Sequence, residues 1–325
     1  MSGQERIGIV GAGPFGTALA FRVASVGRQV VLWSRDAAVV AGIEEAHENP
    51  RTPGLTLPAS VHATTDPVAF ADAARLLVVA LSAQDIRPRL HVLGDHLSSD
   101  HLLVHAVGAW AGADDLRVSQ IIEQETPVLR IGALAGPALW QDLVAGRYAS
   151  MVVASQYAEV TAEARRLLSA PPALRLYVGS DLIGVELASA LAGPYTMAIG
   201  LADGLGLGVG VRAVLLTRAL AEASRLGRAA GAQEKTFSGL AGLGNLLVRT
   251  QGEHSAEYLT GLAYGRGQSV ERRPQVADAA LAAVRMARRL DVRAPVLSAI
   301  AGVLSGQMTA AEAAAVTADT VALEE

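Results

Sequence analysis

The sequence predicts an α/β protein: a doubly wound, mainly parallel sheet in the first half, followed by an all-helical C-terminal domain. Three observations carry this. Near-continuous apolar runs of strand length alternate with helical stretches up to about residue 180. From Asp181 onward Ala, Leu and Arg recur at helical spacing without a strand-like run. Finally, the glycine-rich turn Gly11-Ala12-Gly13-Pro14-Phe15-Gly16 follows the first apolar run directly and opens the first helix.

Taken in order, Arg6 to Val10, Gln29 to Trp33, Leu76 to Leu81, Leu102 to Val107, Val128 to Leu134, Met151 to Ser155 and Leu174 to Val178 read as strands. Unbroken apolar strands belong to a sheet covered on both faces. Thr17 to Val26 is an amphipathic crossover of the length that a right-handed βαβ unit needs. The segment from His47 to Asp66, with Pro50, Pro53 and Pro58, reads as an irregular surface loop. In the second half, Leu281 to Leu290 and Ala294 to Leu304 are amphipathic helices, and Thr309 with Glu312 three residues later predicts a capping box. Two domains follow, 1–180 and 181–325.

Composition narrows the function classes. With 325 residues, 51% hydrophobic and 18% charged, the chain has ample material for a core and no disordered character. A net charge of -4 argues against nucleic acid as a partner. Cysteine is absent, which removes disulfides and thiolate chemistry, and the 7 histidines are scattered without metal-ligand spacing, so no metal site is expected. Of the 27 lysines and arginines only Lys235 is a lysine and 26 are arginines. Met1 to Arg6 holds charged residues and resembles no targeting segment, which makes a cytoplasmic location the expectation. Leu187 to Ala202 is charge-free but carries Ser189, Gly193, Pro194, Tyr195 and Thr196, and is expected as a buried core helix with no role in a membrane.

In the glycine turn, Gly11 allows the sharp bend, Gly13 lets a pyrophosphate approach the backbone, and Gly16 allows the helix to pack against the strand. The helix start then offers N–H groups and partial positive charge to phosphates. Pro14 suits the first helical turn. At the end of the second strand Ser34 and Arg35 stand where NAD-specific proteins usually carry an acid, which tilts the cofactor toward NADP, or toward use of both NADP and NAD. Phe15, in the turn, and Ser82, after the third apolar run, complete the expected cofactor contacts.

With these motifs the chain resembles the bacterial NAD(P)-dependent glycerol-3-phosphate dehydrogenases over nearly its whole length. The resemblance rests on the glycine turn with Thr17-Ala18-Leu19-Ala20, on Leu32-Trp33-Ser34-Arg35, His47-Glu48-Asn49-Pro50-Arg51, Leu134-Ala135-Gly136-Pro137 and Gly184-Val185-Glu186-Leu187. Its most specific stretches are Gly200 to Gly208 and Thr236 to Gly244. It implies a Rossmann-type first domain, a helical second domain of the 6-phosphogluconate-dehydrogenase type, a small-molecule substrate and a homodimer. Against the family's pattern, Val107-Gly108 stands in place of a lysine-glycine pair, and Ala192-Gly193 in place of the second lysine and its asparagine. Asn245 replaces an aspartate, Ser255-Ala256-Glu257 replaces Ser-Arg-Asn, and Ala138 replaces a serine.

A site stripped of its charge network is therefore expected. Oxidation of an alcohol needs a group to take the hydroxyl proton, and a phosphate dianion needs cations. Tyr195, three residues beyond Ala192, is the expected proton donor, with Gly136, Asn245, Ser255 and Thr196 around the substrate. The predicted function is an NAD(P)-dependent oxidoreductase acting on a less charged carbonyl or imine. The alternatives are a catalytically silent dinucleotide-binding protein, or a true glycerol-3-phosphate dehydrogenase working through other residues. Lys235 is expected at the surface, His105 in the core, Glu186 in a structural role, and His254 near a ligand.

Overall fold

The computed structural model describes residues 6–108, 110, 115–251, 255–268, 270 and 276–319; His254 lies outside them. The chain forms two compact units, Met1–Val107 with Ala111–Leu182, and Gly108–Trp110 with Ile183–Glu325. The expected division ran between residues 180 and 181. What it did not foresee is the assignment of the short Gly108–Trp110 segment to the second unit.

In the first unit the order is β1 (Arg6–Val10), α1 (Pro14–Ala24), β2 (Gln29–Trp33), α2 (Ala37–Ala46), β3 (Val61–Thr64), α3 (Pro67–Ala73), β4 (Leu76–Val79), α4 (Ile86–Gly94) and β5 (Leu102–His105). It continues through α5 (Val118–Glu125), β6 (Arg130–Ala135), α6 (Trp140–Ala145), β7 (Ala149–Ser155), α7 (Ala158–Leu168) and β8 (Leu174–Gly179). The eight strands form one sheet in the order β3-β2-β1-β4-β5-β6-β7-β8. All neighbours are parallel except β6 and β7. The strand order reverses between β1 and β4, so the crevice at their carboxyl ends is a topological switch point.

Two sequence expectations change. β3 lies inside the stretch expected to be loop: Val61-His62-Ala63-Thr64 alternates inward and outward on an edge strand of four residues, too short to stand out beside the prolines. β7 runs against β6, because a continuous apolar run reports burial on both faces and carries no information about strand direction. The local signals explain the helix starts. Asp36 caps α2 by accepting from the Ala38 N–H, and Asp66 caps α3 by accepting from Val68, with Pro67 in the first turn. The strands β4 and β5 are buried along their whole length, His105 included.

The second unit is helical throughout its described residues: α8 (Leu182–Gly204), α9 (Gly208–Ala229), α10 (Asn245–Arg249), α11 (Ala256–Gly265), α12 (Val276–Arg289), α13 (Pro295–Leu304) and α14 (Ala310–Asp319). α8 is long and apolar enough to cross a membrane, with mean hydropathy 1.4, but 89% of that stretch is buried inside the protein, as a core helix requires. Pro194 sits within it without ending it. At α14 the Thr309 hydroxyl accepts from the Glu312 N–H while the Glu312 carboxylate accepts from the Thr309 N–H, the reciprocal box read from the sequence.

The second unit is organised around a buried acid. Glu222, on α9, is wholly buried; one carboxylate oxygen accepts from the Val296 N–H at 3.0 Å, the other from the Leu297 N–H at 3.0 Å and from the Tyr195 hydroxyl at 3.2 Å. It thereby caps α13, whose own N-cap, Ala294, has no side chain to do so. Burial pushes the Glu222 carboxyl above its usual range, against the pull of the two N–H groups and the tyrosine. Replacing Glu222 by Ala leaves these donors unpaired and is expected to cost about 3 kcal/mol or more. Because its pKa is higher folded than unfolded, its contribution is full below the ordinary value of about 4.3 and declines as pH rises through the folded value. Melting curves of wild type and Glu222→Gln should accordingly converge on going from pH 5 to pH 8; a gap that widens would overturn the assignment.

Candidate functional site

The first unit carries the clearest site. Gly11 leaves β1 with φ +110°, a conformation that side chains rarely adopt, and a Cβ there would lie 2.5 Å from the Ala80 carbonyl oxygen. A Cβ on Gly16 would collide with the Gly11 carbonyl, so helix and turn pack with no space to spare. Gly13 is the opposite case, with no atom within 4 Å of where its Cβ would be. The turn is thus closed toward the sheet and open on the side from which a ligand can approach the N-terminus of α1.

A cavity of about 310 Å³ lies at that opening, lined by Gly11, Ala12, Gly13, Pro14 and Phe15, by Trp33-Ser34-Arg35-Asp36, by Ala80-Leu81-Ser82, and by Arg51, Asp85 and Arg89. Of the expected cofactor contacts, Gly11, Gly13, Pro14, Phe15, Ser34, Arg35 and Ser82 line it together; Gly16 lies behind the turn as a packing glycine. Ser34 is buried and its hydroxyl accepts from the Asp36 N–H, while the Ser82 hydroxyl donates to Asp85 at 2.5 Å.

Sequence reasoning missed the brace behind the turn. Asn49 is buried, and its amide donates to the Ala12 carbonyl at 3.0 Å and to the Thr17 hydroxyl at 2.7 Å. It ties the loop after α2 to both sides of the glycine bend. Asparagine in a proline-rich loop looks like a turn residue, and only its place in the fold reveals the brace. Arg51, two residues on, reaches the cavity wall and pairs with Asp36 at 2.8 Å.

In the second unit a polar cluster forms around Arg249. Its Nε donates to Asn245 Oδ1 at 3.2 Å, one turn back on α10, and its Nη1 to Glu257 Oε1 at 3.2 Å. Ser255 caps α11 by accepting from Tyr258 and donates to Glu257 Oε2 at 2.8 Å. Gly108 and Gly193 border the cluster: a Cβ on Gly108 would lie 2.8 Å from the Ser189 hydroxyl and 3.3 Å from Arg249 Nη2, and one on Gly193 3.8 Å from Glu257 Oε1. Burial pushes the Glu257 carboxyl up, but Arg249 and the bonds from its own N–H, Ser255 and Arg249 outweigh it, so the net shift is downward.

Three expectations change here. Tyr195 is buried with its hydroxyl committed to Glu222, and burial together with that carboxylate raises its pKa well above the usual phenol value. Such a hydroxyl is a poor proton donor to a substrate. Thr196 is fully enclosed, with no part of its surface open to a ligand. The charge network is not emptied but exchanged for the Arg249–Glu257 pair, which was missed because the two residues lie eight apart on different helices. Asn245 and Ser255 do belong to the cluster, whereas Gly136 lies in the first unit, at φ +146° directly after β6. Lys235 is exposed, as expected, and among the described residues no group of three His, Asp or Glu could hold a metal ion.

Residues 6–161 match the family described as the NAD-dependent glycerol-3-phosphate dehydrogenase N-terminus, and residues 181–315 its C-terminus. The chain belongs to that dehydrogenase family. It is 37% identical over 318 residues to "Glycerol-3-phosphate dehydrogenase [NAD(P)+]" of Desulfovibrio desulfuricans, covering 95% of each chain. The protein of the same name from Dechloromonas aromatica is 38% identical over 320 residues, again covering 95% of each chain. Among solved structures, the fold matches the glycerol-3-phosphate dehydrogenase of Coxiella burnetii with a TM-score of 0.90 at 23% identity, covering 97% of this chain and 99% of that one.

Two stability tests follow from the geometry. Asn49→Ala leaves a buried carbonyl and hydroxyl unpaired and should lower stability by about 1–3 kcal/mol, read as a drop in calorimetric Tm. Glu257 has a lower pKa folded than unfolded, so its stabilisation is present above the ordinary value of about 4.3 and is lost as pH falls through the folded value. The Tm gap between wild type and Glu257→Gln should therefore narrow from pH 7 to pH 4.

Proposed function

We propose that the protein is an NAD(P)-dependent oxidoreductase that interconverts an alcohol and a carbonyl, and that its substrate carries less negative charge than a phosphate ester. The cofactor part rests on the first unit: the open Gly13, the N-terminus of α1 and the unspent donors of the cavity fit a dinucleotide. Gly11 to Phe15 would hold its pyrophosphate, and Ser34 and Arg35 its adenine-side ribose. When bound, the nicotinamide accepts or supplies the hydride.

The substrate part rests on one observation. Arg249 Nη2 lies 3.3 Å from where a Cβ on Gly108 would stand, at the position where the resemblance places the lysine-glycine pair, and its charge is already met by Glu257 at 3.2 Å. A neutralised pair offers hydrogen bonds to hydroxyl and carbonyl groups but little net attraction for a dianion. In this reading Arg249 donates to the carbonyl oxygen, while the Glu257 carboxylate, held ionised, accepts from the alcohol. Nothing in this arrangement singles out an imine.

A second reading, glycerol 3-phosphate itself as substrate, is favoured by the 37–38% identity to relatives that carry that name. The two separate in a single assay. Purified protein with NADPH or NADH is offered dihydroxyacetone phosphate and a panel of neutral small ketones and aldehydes, and cofactor oxidation is followed at 340 nm. Turnover of neutral carbonyls is expected, with Glu257→Gln slower by about tenfold, the scale of one lost charge-assisted contact that holds Arg249. Turnover of the phosphate ester at an ordinary enzymatic rate would sink the altered-substrate reading and support the second. No turnover on the whole panel with tight cofactor binding would mean a silent dinucleotide-binding protein.

A further inference from the structure

Three residues of the second unit border one small space beside the Arg249 cluster. Gly108 belongs to that unit and presents only backbone to the space. A Cβ on it would lie 2.8 Å from the Ser189 hydroxyl oxygen and 3.3 Å from Arg249 Nη2, so the two groups approach Gly108 from α8 and α10. Both are unspent. Arg249 donates to Asn245 through Nε and to Glu257 through Nη1, while Nη2 makes no hydrogen bond or ion pair among the described residues. Ser189 is only 7% exposed, and its hydroxyl likewise has no partner among them.

An unpaired hydroxyl on a buried helix face is costly, because it gives up water without a replacement. Alanine would fill the same helical position without that cost. Packing therefore does not account for Ser189, and an acceptor supplied by a ligand does. That acceptor must suit one hydroxyl and one guanidinium N–H whose charge Glu257 has already met. A single carbonyl oxygen fits, since its two lone pairs take one hydrogen bond each. A phosphate dianion, with three outward oxygens, is left underpaired by two donors.

We propose that Ser189 and Arg249 Nη2 form a two-donor seat for the carbonyl oxygen of the substrate, kept open by the bare backbone of Gly108. The seat rests on the reading that a less charged carbonyl is the substrate, and it adds Ser189 as the second donor to the oxygen whose charge grows during reduction. It also sets the substrate class: an aldehyde or ketone that presents one unhindered carbonyl oxygen.

Two readouts on the purified full chain test the seat. One is steady-state reduction of neutral ketones and aldehydes. The other is binding of isobutyramide, a neutral amide whose oxygen mimics the carbonyl, to protein saturated with NADPH or NADH. Ser189→Ala is expected to lower kcat about a hundredfold with KM within about threefold, the scale of one lost oxyanion donor, and to weaken the amide about tenfold. Its Tm and cofactor affinity should match wild type, and Ser189→Thr, which keeps the hydroxyl, should retain most of the kcat. Gly108→Ala fills the space and should weaken the amide at least as much. Wild-type kcat and amide affinity in folded Ser189→Ala would overturn the seat and leave the proposed function intact. A wild type that reduces no carbonyl, yet binds the amide in a way that Ser189→Ala weakens, would overturn the proposed turnover and uphold the seat. Neither turnover nor amide binding in the folded wild type would overturn both.

Discussion

The bend between β1 and α1 is the constraint from which the first unit is built. Gly11 must take a left-handed backbone, and neither it nor Gly16 has space for a Cβ, because the helix starts against the end of the strand. That closeness brings the N–H groups of α1 to the carboxyl edge of the sheet, where the connections from the paired strands β1 and β4 lead away in opposite directions along the sheet. Asn49 then holds the bend from outside through two hydrogen bonds. These contacts restrict the backbone of the bend, and a site formed in advance avoids an ordering cost on binding.

The second unit solves a different problem. Its core helix α8 is mostly apolar and buried, and the Tyr195 hydroxyl that it carries needs a partner on a neighbouring helix. Glu222 supplies a buried carboxylate, yet four groups share the load: two backbone N–H groups, the Tyr195 hydroxyl and the more distant charge of Arg225. This separates two kinds of ionisable residue in one unit. Glu222 is enclosed and its carboxyl is pushed up, as befits a structural acid; Glu257, beside Arg249 and part-exposed, is pulled down and stays ionised.

The parts of this molecule that were legible in the sequence are those in which side-chain type and local period decide the outcome. The glycine turn, the buried strands, the helical second half and the capping box at Thr309 belong there, because each is set by a handful of adjacent residues. β3 was hidden because four alternating residues on a sheet edge carry little signal, and the direction of β7 because burial is blind to orientation. Tyr195 was misread for a related reason. Helical spacing placed it one turn from Ala192, but its partner, Glu222, is 27 residues away on another helix. Asn49, Arg249 and Glu257 share this origin, since long-range pairs make them what they are.

The single lysine gives the chemistry of the second unit its direction. Arginine stays protonated at any pH the protein meets, so none of the 26 arginines can take a proton from an alcohol. Lys235, the one amine that might, is exposed on a short turn between Glu234 and Thr236. Tyr195 is sealed in the core with its proton already shared. Within the cluster that includes Asn245 and Ser255, this leaves a carboxylate as the group able to accept a proton, and Glu257 is that carboxylate. A carboxylate with a lowered pKa is a weak base, better at orienting a hydroxyl than at stripping it. On the proposed function, such a pair gains most in the reducing direction, where the oxygen of a carbonyl becomes more basic as hydride is added and a guanidinium can meet the developing charge. On the function proposed above, a guanidinium–carboxylate pair suits the reduction of a neutral carbonyl better than the oxidation of a charged alcohol.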